Sequence, residues 1–354
     1  MFVERTLVLD LILIVILSFF SLFCLRKLAQ KIGLVDKPNA RKKHSGEVPL
    51  VGGISVYIGV CVFLTYSALS VPNSTLYLIC ITSLIVIGIA DDRWDISYKL
   101  RLLVQTALAL SMIYGAGLSL KTVGNLFGEG DIVIGWVSYL LTVFAVIGAI
   151  NAFNMVDGID GLLGGLSIVT FGSLSFVLYL AGAPKLGFFC LVIIASVTPY
   201  VVMNLGLLGR KRRVFMGDAG SMLIGFSVIW ILLSATQEAE YRVMRPVTAL
   251  WLIAVPLMDM AAIMFRRVRR GDSPFKPDRE HLHHIFQRLG FTSRQTLVII
   301  CGIALFYASI GIIGEVTKAP ESLMFGLFIA FFALYAFCLS HVWVITSKLR
   351  AWRN

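Results

Sequence analysis

The sequence has few charged residues. Asp, Glu, Lys and Arg make up 14% of its 354 residues, against about 25% in an ordinary soluble domain. Hydrophobic residues make up 58%, and apolar runs of about 17 to 22 residues recur along the whole chain, long enough to cross about 30 Å of hydrocarbon. The runs are continuous and do not alternate, which excludes a β-barrel. The pattern predicts an all-α, polytopic integral membrane bundle.

The sequence also lacks paired cysteines, linkers and internal repeats. Its six cysteines are scattered singly in or beside apolar runs, and none forms a CxxC or metal-type spacing, so we expect buried free thiols. The first apolar run has no basic segment before it and no small-residue cleavage site after it, which favours a retained span over a cleaved signal. A single transmembrane domain over 1–354 follows.

Eleven transmembrane helices fit the apolar runs. They are predicted at 7–25, 48–69, 74–90, 102–120, 136–153, 162–182, 186–206, 219–236, 246–265, 296–315 and 322–343. With these spans, 25 of the 31 basic residues lie in loops or tails on one side of the membrane. Because cytoplasmic loops are rich in Lys and Arg, the N-terminus is predicted outside and the C-terminus in the cytoplasm. The net charge of +11 therefore indicates topology and not a nucleic-acid partner.

Acidic residues are scarce, yet five of them cluster at 91–95 and 157–160. The stretch DDRWD at 91–95 follows an apolar run, and on a helix Asp91 and Asp95 would share a face, with Asp92 about 100° away. Like charges so close repel each other, so they persist best beside a cation. A solvated helix end would need only one acid, which makes a site the better interpretation. Arg101, just beyond, is suited to phosphate oxygens.

The stretch NAFNMVDGIDGLLGG at 151–165 places amides and acids between two apolar runs. Asn151 and Asn154, then Asp157 and Asp160, supply oxygen ligands of the kind that Mg²⁺ prefers. The glycines among them allow a ligand or another backbone to approach closely. The alternative is a glycine-rich contact between helices with one capping Asp.

Basic residues RKRR at 210–213 precede VFMGDAGS at 214–221. Asp218 could simply cap the helix that follows. The N-terminus of a helix with glycines also binds anions, which would place Asp218 between a metal ion and a phosphate. Beside the other acidic stretches on the same predicted face, the second interpretation is favoured.

The loop at 266–284 contains the only histidine cluster in the sequence. Arg279, His281, His283 and His284 suit a nucleotide or a diphosphate, and zinc is disfavoured because no fourth Cys or His lies near. A merely basic inside loop is the other alternative. Upstream, Asp259 falls inside a predicted span, where an acid is costly and usually functional.

All four polar stretches are predicted on the cytoplasmic face. Acids, amides, bases and a hard cation at one membrane face suit phosphoryl-type transfer from a soluble donor to a lipid acceptor. A secondary transporter of an anionic solute is the rival, although transporters place such residues near the midplane and often in symmetric halves. A lipid-binding scaffold would not require so many acids.

DDRWD, NAFNMVDGIDGL, VFMGDAGS and PDREHLHH, in this order, resemble the polyprenyl-phosphate N-acetylhexosamine-1-phosphate transferases over nearly the whole chain. The resemblance implies a multi-pass enzyme of the bacterial cytoplasmic (inner) membrane. It would transfer GlcNAc-1-phosphate from UDP-GlcNAc to undecaprenyl phosphate with Mg²⁺ or Mn²⁺, and it admits a homodimer. The string HLHH resembles the branch that uses UDP-GlcNAc, without excluding another UDP-N-acetylhexosamine.

The same resemblance implies roles for individual residues. Asp218 would be the principal metal ligand, with Asn154 a second. Asp92 would be the base for the lipid phosphate, while Asp91 would help to hold the charge network. Asp95 would face the sugar, Asp157 and Asp160 would organise the nucleotide side, and Arg101, Arg279 and His281 would contact the diphosphate. Asn151, His283 and His284 are expected to bind substrate.

Overall fold

Helices dominate the computed structural model, which describes residues 2–37, 46–67, 71–237, 243–273 and 281–341. The helices are α1 (Phe2–Ile32), α2 (Gly52–Tyr66), α3 (Ser74–Trp94), α4 (Tyr98–Ala116), α5 (Val137–Met155), α6 (Leu162–Leu180), α7 (Pro184–Asn204), α8 (Gly217–Gln237), α9 (Pro246–Leu252), α10 (Ala254–Arg269), α11 (Leu282–Arg288), α12 (Ser293–Val316) and α13 (Glu321–Ser340). Two short strands, β1 (Val35–Asp36) and β2 (Val48–Pro49), pair antiparallel.

Each predicted span coincides with a helix or, at 246–265, with a pair of helices. Within the described ranges, eight helices are long and apolar enough to cross a membrane, or nine if the bent pair is one span. The helix α2 is shorter, with 15 residues. The prediction of an all-α, multi-pass membrane protein is confirmed, and the number eleven stays a prediction.

The span predicted at 246–265 is not one continuous helix. The chain forms α9 and α10 instead, which meet at an angle of 83°. Pro256 explains the break, because it has no N–H to donate to the carbonyl of Leu252 one turn earlier. The hydroxyl of Thr170, on α6, lies 3.4 Å from that freed carbonyl and donates to it.

The helix α8 forms the centre of the bundle. Of the 18 consecutive residues that make up its most apolar part, 94% are buried, against 17% in the corresponding part of α13. It packs along α3 and α5, and Gly225 lies so close to α5 that a Cβ there would be 2.7 Å from the carbonyl oxygen of Ala149. Small residues at such contacts let membrane helices approach closely, so α8 and α5 are held in a fixed register.

The segment after β2 holds the start of α8 in place. Leu50 forms a parallel bridge with Phe215, and the backbone N–H groups of Gly52 and Gly53 donate to the carbonyls of Phe215 and Met216, each at 2.9 Å. The chain entering α2 is therefore hydrogen-bonded to the chain entering α8. This brings the N-terminal ends of α2 and α8 to one end of the bundle.

The opposite end of α8 is fixed as well. The side chain of Gln237 accepts hydrogen bonds from the backbone N–H groups of Lys121 and Thr122 and donates to the carbonyl of Thr122. Nearby, Arg245 and Glu315 form an ion pair at 3.2 Å that joins α9 to the end of α12. The cysteines are free thiols as expected, but only Cys80 and Cys190 are buried, so the prediction of general burial is wrong.

Candidate active site

Two acids predicted as site residues meet at the end of the bundle where α2 and α8 begin. Arg101, in the first turn of α4, places Nη1 at 2.5 Å from Oδ2 of Asp91 and 3.9 Å from Oδ2 of Asp218. The side chain of Asp91 is 3% exposed, whereas that of Asp218 is 35% exposed. One guanidinium thus neutralises the buried acid and leaves the other open to a ligand.

Asp92, also from α3, lies against the N-terminus of α8. Its Oδ1 accepts a hydrogen bond from the N–H of Asp218 at 2.8 Å, and its Oδ2 accepts from the N–H of Ala219 at 3.4 Å. A carboxylate at this position satisfies free helix amides and complements the helix dipole. The alternative that Asp218 caps its own helix is therefore replaced by a cap from α3.

Glycines make this contact between α3 and α8 geometrically feasible. A Cβ on Gly88 would lie 2.2 Å from the Cα of Ala219, and one on Gly53 would lie 2.3 Å from the Cα of Gly220. Any larger residue would push the start of α8 away. The backbone approach at Gly53 and Gly88 sets where Asp218 stands.

Asn154 joins the acidic cluster from the last turn of α5. Its Nδ2 lies 2.5 Å from Oδ1 of Asp218 and 2.8 Å from Oγ of Ser221. The close packing of α5 on α8 at Gly225 positions this amide. The structure therefore brings together Asp91, Asp92, Asn154, Arg101 and Asp218, which come from four different helices.

Two buried amides support the cluster and were missed by the sequence reasoning. Gln105 accepts a hydrogen bond from Asn151 at 3.0 Å, so the amide of Asn151 is committed to α4. Asn204 accepts from the N–H of Gly161 at 2.5 Å and donates to the carbonyl of Val214 at 2.9 Å. An isolated Gln or Asn within or at the end of an apolar run was the available signal.

The remaining acids lie at the rim. Asp160 forms an ion pair with Arg213 at 3.0 Å, while Asp157 is exposed in the same turn. Asp95 does not share a helical face with Asp91 as predicted, because α3 ends at Trp94 and Asp95 adopts a left-handed conformation with φ of 50°. Its exposed side chain stands beyond the helix.

The histidine-containing segment 281–284, called the histidine loop below, contacts the turn between α5 and α6. His283 is 3% exposed, and a Cβ on Gly158 would lie 2.1 Å from its Nε2. Burial, with a smaller effect of the neighbouring His284 and His281, lowers the pKa of His283 to about 2. His283 is therefore neutral at physiological pH. His281 instead binds Asp259 through Nδ1 at 2.8 Å, and Arg279 lies outside the described residues.

The side chains around Asp218 supply only a few oxygen ligands for a metal ion. Among the described residues, no three His, Cys, Asp or Glu side chains are arranged to hold a metal ion. Magnesium usually takes only one or two protein carboxylates and completes its shell with water and substrate phosphates. Asp218, open on one side and next to the amide of Asn154, fits that need, whereas a zinc site requires more protein ligands.

The fold and the cluster define a class: a helical membrane protein with a carboxylate, amide and guanidinium site at one end of its bundle. Residues 74–236 match the model of the family described as glycosyl transferase family 4. Curated relatives named undecaprenyl-phosphate alpha-N-acetylglucosaminyl 1-phosphate transferase are similar over nearly the whole chain. The Yersinia pestis protein is 52% identical, covering 98% of this chain and 94% of its own. The corresponding values are 51%, 96% and 93% for Escherichia coli K12 and 49%, 94% and 94% for Haemophilus influenzae.

These similarities identify the family of the chain. It belongs to glycosyl transferase family 4. The four motifs that carried the resemblance in the sequence lie inside the aligned length, and three of them, at 91–95, 151–162 and 214–221, lie inside the family match.

Proposed function

We propose that this protein transfers GlcNAc-1-phosphate from UDP-GlcNAc to undecaprenyl phosphate, giving undecaprenyl-diphospho-GlcNAc and UMP. One observation carries the proposal: Asp91, Asp92 and Asp218 converge with one arginine at the end of a membrane bundle. Relatives about half identical to this chain bear the name of this activity. Polar groups at one end suit a soluble donor that meets a lipid acceptor better than a transporter's midplane site.

The reaction exchanges one phosphorus–oxygen bond for another. An oxygen of the lipid phosphate attacks the phosphorus that carries GlcNAc, and the bond from that phosphorus to the bridging oxygen breaks. UMP leaves with the bridging oxygen and its electron pair. Such a transfer needs charge neutralisation and alignment of the reacting groups more than covalent chemistry.

The residues of the cluster supply these needs in different ways. Asp218 and Asn154 would hold Mg²⁺, which Mn²⁺ can replace, and the ion supplies charge neutralisation at the diphosphate when bound. Arg101 keeps the buried Asp91 paired. Asp92 holds the start of α8, and so Asp218, in place. The base role of Asp92 toward the lipid phosphate remains a proposal beside this capping role.

Direct attack by the lipid phosphate is favoured over a phospho-aspartate intermediate. A phosphate monoester with a second pKa near 6 is already largely dianionic at neutral pH, so it needs little help to become a nucleophile. Direct attack predicts that enzyme free of lipid acceptor does not exchange labelled UMP into UDP-GlcNAc. Robust exchange in lipid-free protein would establish the covalent route.

The site is proposed to face the cytoplasm of a bacterial inner membrane. The topology predicted from the sequence puts 25 of the 31 basic residues on the side of the polar motifs, as expected of cytoplasmic loops and tails, and nucleotide-activated sugars are made in the cytoplasm. A fluorescent protein that folds only in the cytoplasm, fused to the C-terminus, is expected to fluoresce. The homodimer stays a prediction.

The decisive assay supplies labelled UDP-GlcNAc, Mg²⁺ and undecaprenyl phosphate to the purified protein in lipid nanodiscs. We expect a labelled lipid and released UMP from the wild type, and a loss on the order of a hundredfold or more for Asp218→Asn. Glu129→Gln is the matched control, because it neutralises an exposed acid near the opposite end of the bundle. UDP-GalNAc in place of UDP-GlcNAc tests the choice of sugar. No labelled lipid from the wild type would overturn the proposal.

A further inference from the structure

Asp259 is a buried acid in α10 that the proposed mechanism leaves without a role. It is 1% exposed, and three donors meet its carboxylate, two from the histidine loop and one from α13. Oδ2 lies 2.8 Å from Nδ1 of His281, and Oδ1 accepts from the N–H of Leu282 at 3.1 Å and from the hydroxyl of Tyr335 at 2.5 Å. Asp259 therefore joins α10 to the histidine loop and to α13.

The contact with His281 fixes the ring. A carboxylate that accepts from Nδ1–H selects one tautomer and one orientation, which leaves Nε2 as the nitrogen free to accept a proton or contact a ligand. Such a partner also stabilises the imidazolium when it forms. The N–H of Leu282 binds the other carboxylate oxygen, so the backbone of the loop and the ring of His281 are held by the same side chain.

A purely structural role does not explain the charge. An acid within a membrane segment is costly, and an amide oxygen at this position could also accept from Leu282 and Tyr335. The negative charge strengthens all three hydrogen bonds, but of the three donors only the imidazole of His281 can take up a proton and become a cation opposite it. Nearby, Ala262, Ile263 and Leu339 form a small apolar cluster, and Met155 at the end of α5 packs against it. This packing connects the surroundings of Asp259 to the helix that carries Asn154.

We propose that Asp259 is a positioning residue for His281, whose Nε2 faces the diphosphate of the donor during transfer. This inference rests on the proposed function. Tyr335 completes the arrangement by tying the last helix of the described chain to the same carboxylate. In this account α10 and α13 serve the chemistry through one acid, although neither contributes a residue to the acidic cluster at Asp218.

A double-mutant cycle tests the inference. Asp259→Asn keeps an oxygen for Leu282 but loses the charge that holds His281, so we expect kcat to fall about tenfold to a hundredfold, the range for residues that orient a functional histidine. The KM for UDP-GlcNAc should stay within about threefold, because the lost interaction belongs to the transition state. His281→Ala should cost at least as much, and the double variant should be no slower than His281→Ala alone.

The matched control is Glu315→Gln, which neutralises another poorly exposed acid bonded to Arg245 and Thr248. It lies at the far end of α12, roughly 30 Å from the histidine loop at 1.5 Å per residue, and should retain wild-type kcat per folded protein. Costs of Asp259→Asn and His281→Ala that multiply in the double variant would overturn the positioning role, as would an Asp259→Asn variant with wild-type kcat. An inactive wild type would instead overturn the proposed function.

Discussion

The carboxylate of Asp92 accepts a hydrogen bond from the backbone N–H of Asp218, 2.8 Å away. One acid of the site therefore caps the helix that carries another acid of the site. The two residues are separated by 126 positions in the sequence, and their contact ties the end of α3 to the start of α8.

This cap separates two effects of changing Asp92. Asn keeps one of the two oxygens that accept from the amides of α8, whereas Ala keeps neither, and loss of a helix cap to Ala costs about 1 kcal/mol. We expect Asp92→Asn to melt at a higher temperature than Asp92→Ala and still to lose most of its activity, because the carboxylate beside Asp218 is gone. Asp92→Ala should lose both stability and activity. Melting temperature and initial rate, measured on the same nanodisc samples, test this, and an unfolded Asp92→Asn variant would contradict it.

The pair of Asp91 and Arg101 predicts a rescue by a second substitution. Arg101→Ala leaves the buried carboxylate of Asp91 without its cation, which should cost about 2 kcal/mol, less than the 3–5 kcal/mol of fully buried pairs because the arginine is partly exposed. Asp91→Asn in the same chain removes the stranded charge. The double variant should therefore melt at a higher temperature than Arg101→Ala alone. Equal melting temperatures would show that the pair is not coupled.

The close approach at Gly88 predicts a steric effect with a clear control. A Cβ there would lie 2.2 Å from the Cα of Ala219, whereas one on Gly302 would meet nothing within 4 Å. Gly88→Ala should cost about 1–3 kcal/mol of stability and lower activity by displacing Asp218. Gly302→Ala should be neutral. Melting curves and transfer rates of the detergent-solubilised variants test this prediction. A fully active Gly88→Ala enzyme would refute the packing argument.

The proposed cation site predicts a shift in metal dependence. Chelation of divalent ions should abolish transfer, and Mg²⁺ or Mn²⁺ should restore it. Asp218→Asn removes the partly exposed carboxylate, so the free Mg²⁺ concentration that gives the half-maximal rate should rise on the order of tenfold or more. Glu129→Gln should leave that concentration unchanged. A residual Asp218→Asn activity with wild-type Mg²⁺ dependence would exclude Asp218 as a ligand.

The neutral, buried His283 predicts an acid sensitivity. Its pKa is about 2 in the folded protein and about 6.5 in the unfolded chain, so the unfolded state binds a proton that the folded state does not. Stability should therefore fall as the pH drops below about 6.5, by up to about 1.4 kcal/mol per pH unit. His283→Gln lacks this group and should lose less stability between about pH 7.5 and pH 5. Parallel melting curves for the two proteins would contradict the assignment.

The sequence allowed the class of fold and most of the cluster to be predicted. Apolar run length located the helices, and acids beside such runs located Asp91, Asp92 and Asp218. It could not show that the run at 246–265 breaks, because Pro256 lies in the middle of that run just as Pro199 lies inside the unbroken α7, so a proline alone does not decide between a kink and a break. The partnership of Asp92 with an amide 126 positions away depends on packing at Gly53 and Gly88, which no local pattern encodes.

The supporting amides were missed for a related reason. Gln105 and Asn204 each appear once in an apolar context, so no periodicity or spacing marks them. Their role depends on Asn151 and on the turn at Gly161, which approach only in the folded bundle. The acids at 157–160 were grouped with the centre because they share a motif, yet Asp160 pairs with Arg213 at the rim.

The burial of α8 bears on how the protein is assembled during synthesis. Domains and helices emerge from the ribosome in N-to-C order, so seven of the numbered helices enter the membrane before α8 does. Until then, Asp92 lacks the amides it caps, and Asn154 lacks both Asp218 and Ser221 as partners. A chain that stops short of α8 would hold unpaired polar groups around an unfilled centre. Insertion of α8 is therefore the point in synthesis at which these groups gain their partners, and unpaired polar groups after that point would mark a defective chain.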